Sequence, residues 1–221
     1  SKEDDSASQL QNSMEHMYKL YLLMTSLVIK LRERAIDHQK RSEKKYIKTQ
    51  EDVNPNMRFV DNFLLQKLAE DTALKAELES HKIQYWEQDG EYVELIYQDL
   101  IKSDLYESFM CNSKSSLEND LAFVVEVFRQ IIVSNNKLYD YFQDKNITWV
   151  DDFPVVNTFI VKLFKPITTK LKTEFFTPNL FKDKEDEAFG FKLMKATRDN
   201  FGVYNAEIIS KTKNWDKDRI A

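Results

Sequence analysis

An all-α protein is what this sequence predicts, and three observations predict it. The 221 residues include only 3 glycines and 4 prolines, far below average usage. So few glycines leave little material for tight hairpins, phosphate-cradling loops or a dinucleotide fingerprint. A β-sandwich, a P-loop fold and a Rossmann fold are disfavoured on that ground. Second, apolar residues recur at spacings of three and four in one segment after another. Third, 42% hydrophobic and 31% charged residues suit a globular core rather than a disordered chain.

The first element lies within residues 1–53. After a polar opening, Leu10, Met14, Met17, Tyr21, Met24, Val28, Leu31 and Ala35 alternate at spacings of four and three, and Tyr18, Leu22 and Ile29 widen the stripe. That pattern predicts one long amphipathic helix facing a core. It is expected to continue through a basic segment and to stop before Asn54-Pro55-Asn56, because proline pushes its predecessor out of the helical region.

Residues 54–180 read as two helical units, 59–105 and 120–166, with a connector. An offset of 64 carries Phe59 onto Phe123, Leu64 onto Phe128, Leu68 onto Ile132 and Leu74 onto Leu138. The same offset carries Tyr85 onto Trp149, Ile96 onto Ile160 and Leu100 onto Phe164. Each unit predicts a helix, a shorter helix and, after an aromatic, a third helix. In the second copy these are expected near 120–134, 136–145 and 153–165. Asp152-Phe153-Pro154 is expected to open the last one, with proline in its first turn. Trp149 is placed between helices, closing the end of the bundle. Pro166 and Pro178 bracket a connector ending in Phe175-Phe176.

A further offset of 66 carries Phe123 onto Phe189, Phe142 onto Ile208 and Trp149 onto Trp215. The architecture expected is therefore helical bundles built from about three units of about 65 residues. The third unit would begin near residue 186 and stop at Ala221 without the apolar helix that follows the aromatic in the other two. Lengthening the chain by about 15–20 residues is expected to raise its thermal midpoint by covering that apolar surface.

Charge is uneven along the chain. The formal net charge is −5, so any binding of nucleic acid must use a local patch. Such a patch is offered by Lys30, Arg32, Arg34, Lys40, Arg41, Lys44, Lys45 and Lys48, eight bases against Glu33, Asp37 and Glu43. These are candidate phosphate contacts, which position RNA without reading its bases. From Tyr85 to Glu107 seven acids face one lysine. The plain reading of both runs is a solvated helix face.

Catalytic patterns are weak. His16, His38 and His81 are widely spaced and none follows a glutamate by three residues, so the di-iron bundle element is missing. No His-Glu-x-x-His zinc motif occurs. Cys111 is the single cysteine, which excludes an internal disulfide and a multi-cysteine zinc site and suits a reducing, cytoplasmic setting. Asp151-Asp152 reads as a helix cap rather than a magnesium site. No apolar run reaches about 18 residues, so no membrane-spanning helix is expected. The acidic opening Ser1-Lys2-Glu3-Asp4-Asp5 does not resemble a signal peptide. Neither an enzyme nor a cofactor is expected.

At the C-terminal end the residues become specific. Phe191, Leu193, Tyr204, Ile208 and Ile209 precede Lys213-Asn214-Trp215-Asp216-Lys217-Asp218-Arg219-Ile220-Ala221. This resembles the NusB family of transcription antitermination factors, whose members carry a Trp-x-x-x-Arg-Ile/Leu-Ala signature entering a long apolar helix. The likeness covers roughly residues 186–221. The segments Asn54-Pro55-Asn56-Met57-Arg58-Phe59-Val60-Asp61-Asn62 and Asn146-Ile147-Thr148-Trp149-Val150-Asp151-Asp152 look like the long form of the family, with extra helices.

The resemblance implies an all-α, non-enzymatic factor that binds boxA-type RNA of ribosomal leaders. Its partner would be NusE, a small-subunit ribosomal protein, within the RNA polymerase elongation complex. Trp149, Trp215 and Arg219 match the motifs and read as structural. Family members open with an arginine-rich helix that helps bind boxA, and this sequence has no such stretch before Leu10. The sequence is therefore expected to be part of a longer chain at both ends. It leaves a homodimer open. The competing reading is a helical-repeat scaffold for protein partners, without RNA.

Overall fold

The computed structural model describes residues 2–47, 49, 53–112, 116–165, 167 and 175–178. These are all-helical, and no strand occurs among them. The chain divides into two compact units, one of His16–Pro178 and one that joins Ser1–Glu15 to Asn179–Ala221. The description below is of the first. Trp215, Arg219 and the third predicted unit lie outside the described residues.

Helix α1 (Lys2–Glu43) is the axis of the fold. Every residue from Leu20 to Ile29 is buried, Thr25 and Ser26 included. A stripe was the expectation; the central turns are instead enclosed on all sides, as in a helix at the middle of a core. Trp86 reaches across to it, its indole N–H donating to the Leu23 carbonyl at 3.0 Å and to Ser26 Oγ at 3.1 Å. Tyr21 packs edge-on against Phe159, and its hydroxyl donates to the Phe176 carbonyl at 2.6 Å. Phe176 is itself 1% exposed, so the connector is pinned to the core at its end.

The predicted continuation of α1 towards Asn54 is not observed. The helix ends at Glu43, where Lys44 N–H donates to Arg41 O and Lys45 N–H to Ser42 O, both at 3.2 Å. The physical reason is burial. Beyond Ile36 only Ser42 is buried, and a helix without an apolar face to bury draws little support from packing.

Next come α2 (Phe63–Glu70), α3 (Thr72–Ser80), α4 (Tyr85–Gln88), α5 (Gly90–Ile101) and α6 (Asp104–Cys111). Asn62 joins the start of α2 to the segment around Asp120. Fully buried, it accepts from the Leu64 and Leu65 amides at the start of α2 and donates to the Asp120 carbonyl at 3.1 Å. Asp120, also buried, returns a carboxylate to Phe63 N–H at 2.8 Å. Leaving either polar group without its partner would cost about 1–3 kcal/mol. Between α3 and α4, Lys82 takes a left-handed φ of 55°, and Ile83 N–H bonds back to Leu78 O at 2.8 Å. This is the helix-ending motif in which glycine is the usual residue.

Helix α7 (Leu117–Val127) passes into a π-helical segment, Phe128–Ile132, closed by Val133 N–H on Phe128 O at 2.8 Å. Then follow α8 (Asn136–Lys145) and α9 (Trp149–Phe164). Helix α9 opens earlier than the sequence predicts. Thr148 turns on the Asn146 side chain, with N–H and Oγ1 at 3.1 and 2.9 Å from its Oδ1, and Trp149 is the first helical residue. Asp152 is thus not the cap, and Pro154 lies inside the helix.

The offset of 64 holds for the bounds of one helix pair. Carried forward, α2 falls on 127–134, at and beyond the end of α7, and α4 and α5 both fall on the single helix α9. The pair that matches is α3 (Thr72–Ser80), carried onto 136–144, against α8 at Asn136–Lys145. Their caps correspond as well: Asp71 Oδ1 accepts from Leu74 N–H at 2.7 Å, and Asn135 Oδ1 from Leu138 N–H at 3.1 Å. Leu74, Leu138, Ile96, Ile160, Leu100 and Phe164 are all fully buried. Ile83 and Ile147 depart from the pattern, one buried and the other 75% exposed.

Candidate nucleic-acid interface

The eight basic candidates fall into two groups along α1. In the first group each cation has a fixed partner. Lys30 Nζ lies 2.9 Å from Glu33 and 3.0 Å from Glu87. Arg32 Nε donates to the Val60 carbonyl at 2.7 Å, which ties α1 to the turn before Asn62. Arg34 Nε pairs with Glu94 Oε2, and its guanidinium lies 5.4 Å from the centre of the Tyr97 ring. Glu94 also accepts from Gln98 Nε2 at 2.8 Å. The Arg34 guanidinium holds the Glu94 carboxyl below its ordinary range, in spite of partial desolvation. Glu87 and Glu94 come from the acidic segment, so two of its seven acids neutralise α1 within the molecule.

The second group lies at the C-terminal end of α1, where Lys45 also lines a cleft. Lys40 and Arg41 occupy the last turn of α1, and Lys44 and Lys45 follow it directly; all four are exposed. Cations here are favoured by the partial negative charge at a helix C-terminus, typically by about 0.3–1 kcal/mol. Lys48 lies outside the described residues. Tyr46 and Ile47, immediately beyond, are also exposed.

Beside this end of α1 opens a cleft of about 700 Å³. His38, Gln39 and Ser42 form its α1 wall, and Tyr97, Tyr106 and Met110 its opposite wall. Its lining is mixed apolar and polar, with Lys45, Lys102 and Glu107 as its charged members. Among the described residues no group of three or more His, Cys, Asp or Glu side chains could hold a metal ion. The three histidines remain apart: the His16 carbonyl accepts from Trp149, His38 lies near Tyr97, and His81 sits 3.3 Å from Glu77 and edge-on to Tyr18. Cys111 is an exposed thiol at the end of α6.

Trp149 is 2% exposed. Its indole N–H donates to His16 O at 3.1 Å, and its ring packs against Tyr85 and Phe142. The remaining acids of the acidic segment divide between internal ties and solvent. Asp89 accepts from Lys145 at 2.8 Å and from Tyr141 at 2.9 Å, and those contacts, the Lys145 one foremost, hold its carboxyl below the usual range. Asp99 accepts from Asn135 at 3.0 Å.

Sequence reasoning passed over Tyr46 because a lone tyrosine carries no periodic signal. The local clue was its position between the pair Lys44-Lys45 and the single Lys48. No helix among the described residues is long and apolar enough to cross a membrane. Comparison with family models, with curated proteins and with solved structures finds no match.

Proposed function

We propose that this chain is a non-enzymatic RNA-binding factor of transcription antitermination, the role that its resemblance to the NusB family implies. Lys40, Arg41, Lys44 and Lys45 supply phosphate contacts to boxA-type leader RNA, with NusE as the protein partner in the RNA polymerase elongation complex. The observation that carries this reading is the division of the basic run. Lys30, Arg32 and Arg34 are held by the bundle, whereas Lys40, Arg41 and Lys44 are exposed at one end of α1.

A protein of net charge −5 draws a polyanion only through such a local concentration of charge. The contacts neutralise phosphates and release counterions, so binding must weaken as salt rises. Specificity for boxA would come from elsewhere, since phosphate contacts position RNA without reading it. Assembly on the RNA is the mechanism, with no bond made or broken.

The test is filter binding to boxA-type and scrambled RNA, with and without NusE, across a salt series. The expected result is tighter binding to boxA RNA and a negative slope of log affinity against log salt. Equal, salt-insensitive retention of both RNAs would contradict the reading and favour a helical scaffold for protein partners.

A further inference from the structure

Tyr46 stands apart from the other described tyrosines. Each of those has a ring neighbour, from the Tyr18–Tyr21 stack to Tyr139 against Phe153. Tyr46 has none among the described residues, and its ring is fully exposed. One exposed tyrosine is ordinary on a protein surface. Its surroundings are what give this one a role. Lys44 and Lys45 precede it directly, Lys40 and Arg41 lie one turn back on α1, and the turn between them is closed by two backbone hydrogen bonds.

We propose that Tyr46 is a base-stacking residue, and that this end of α1 therefore takes unpaired RNA in preference to duplex. The inference rests on the RNA reading above. Exposed lysines gather phosphates but have no flat face on which a base can stack. A flat ring beside them offers an apolar face, which any unpaired base can cover because every base has one. In a duplex the bases already stack on each other, and the ring gains nothing. Lys44 and Lys45 adjoin the ring on its N-terminal side, so a strand whose phosphates meet these cations has a flat face beside it for a base. A lipid surface is the other polyanion such a patch could meet. It is served better by several apolar side chains on one face than by a single tyrosine and Ile47 among cations.

The experiment compares the unaltered chain with Tyr46→Ala and Tyr46→Phe. Each is titrated against a labelled unpaired oligouridine and against a hairpin duplex of equal charge, over a salt series. Tyr46→Ala is expected to weaken binding of the unpaired strand about ten-fold. Duplex binding and the salt slope should stay unchanged, and Tyr46→Phe should restore affinity, because stacking needs the ring and not the hydroxyl. Salt-dependent binding that Tyr46→Ala leaves intact would overturn the stacking role while the RNA reading stood. Absence of any salt-dependent binding by the unaltered chain would overturn both. Loss of binding to vesicles of phosphatidylserine and phosphatidylcholine on Tyr46→Ala, with RNA binding unaltered, would assign the ring to a membrane surface and overturn the proposal.

Discussion

Lys30–Arg34 and Lys40–Lys45 carry the same kind of charge on the same chain segment, yet their surroundings oppose each other. The first stretch shares its turns with buried Leu31 and Ala35, and acids from α4 and α5 close over its cations. The second lies past the buried turns of the helix, and Lys40, Arg41 and Lys44 are exposed. Charge near the core joins elements, whereas the exposed charge beyond it is what the proposed RNA contact draws on. The two stretches should therefore respond to mutation in opposite ways, one in stability and the other in binding.

The largest effect is expected at the buried centre that both stretches extend from. Leu27 is fully buried, so Leu27→Ala should lower unfolding free energy by about 2–5 kcal/mol in a denaturant titration. Next comes Arg34→Glu, which sets a carboxylate against Glu94. The pair is only partly shielded, with side chains 22% and 41% exposed, so a loss of about 1–2 kcal/mol is expected, between surface and buried pairs. Adding Glu94→Arg to the same chain should recover part of that loss. No recovery would mean that the pair does not join α1 to α5.

Acid gives a sharper version of the same comparison. The Glu94 carboxyl titrates below its unfolded range because Arg34 favours its charged form. Its contribution is therefore present above the ordinary glutamate range and lost as pH falls through the depressed value. The gap in thermal midpoint between the unaltered chain and Glu94→Gln should be open at neutral pH and close in strong acid. A gap constant with pH would remove the pair from the account.

How much of this was legible in the sequence depends on the range of the interaction. Helix α8 was readable to its bounds because its signals are local: Asn135 caps it, and Leu138 and Phe142 form a pair four apart. The all-helical class followed from glycine scarcity and apolar spacing. The end of α1 was not readable. Stretches 30–34 and 40–45 look alike as charge, and only the tertiary approach of Val60, Glu87 and Glu94 separates them. The Asn62–Asp120 clasp escaped for the same reason, since its partners lie far apart in the chain. Pro154 misled in the opposite direction. Proline in a first turn is the common case, yet Asn146 starts α9 upstream of it. For the candidate interface the sequence named the cations and the structure divided them.

The division itself is tested most directly by one double variant, Arg41→Glu with Lys44→Glu. Both side chains are exposed, so the thermal midpoint should stay where it is, a change within about 0.5 kcal/mol. Affinity for boxA-type RNA should fall, and the slope of log affinity against log salt should flatten by about 0.7 for each phosphate contact removed from a single strand. Unchanged affinity and slope, or a fall in midpoint of the size expected for Arg34→Glu, would contradict the account.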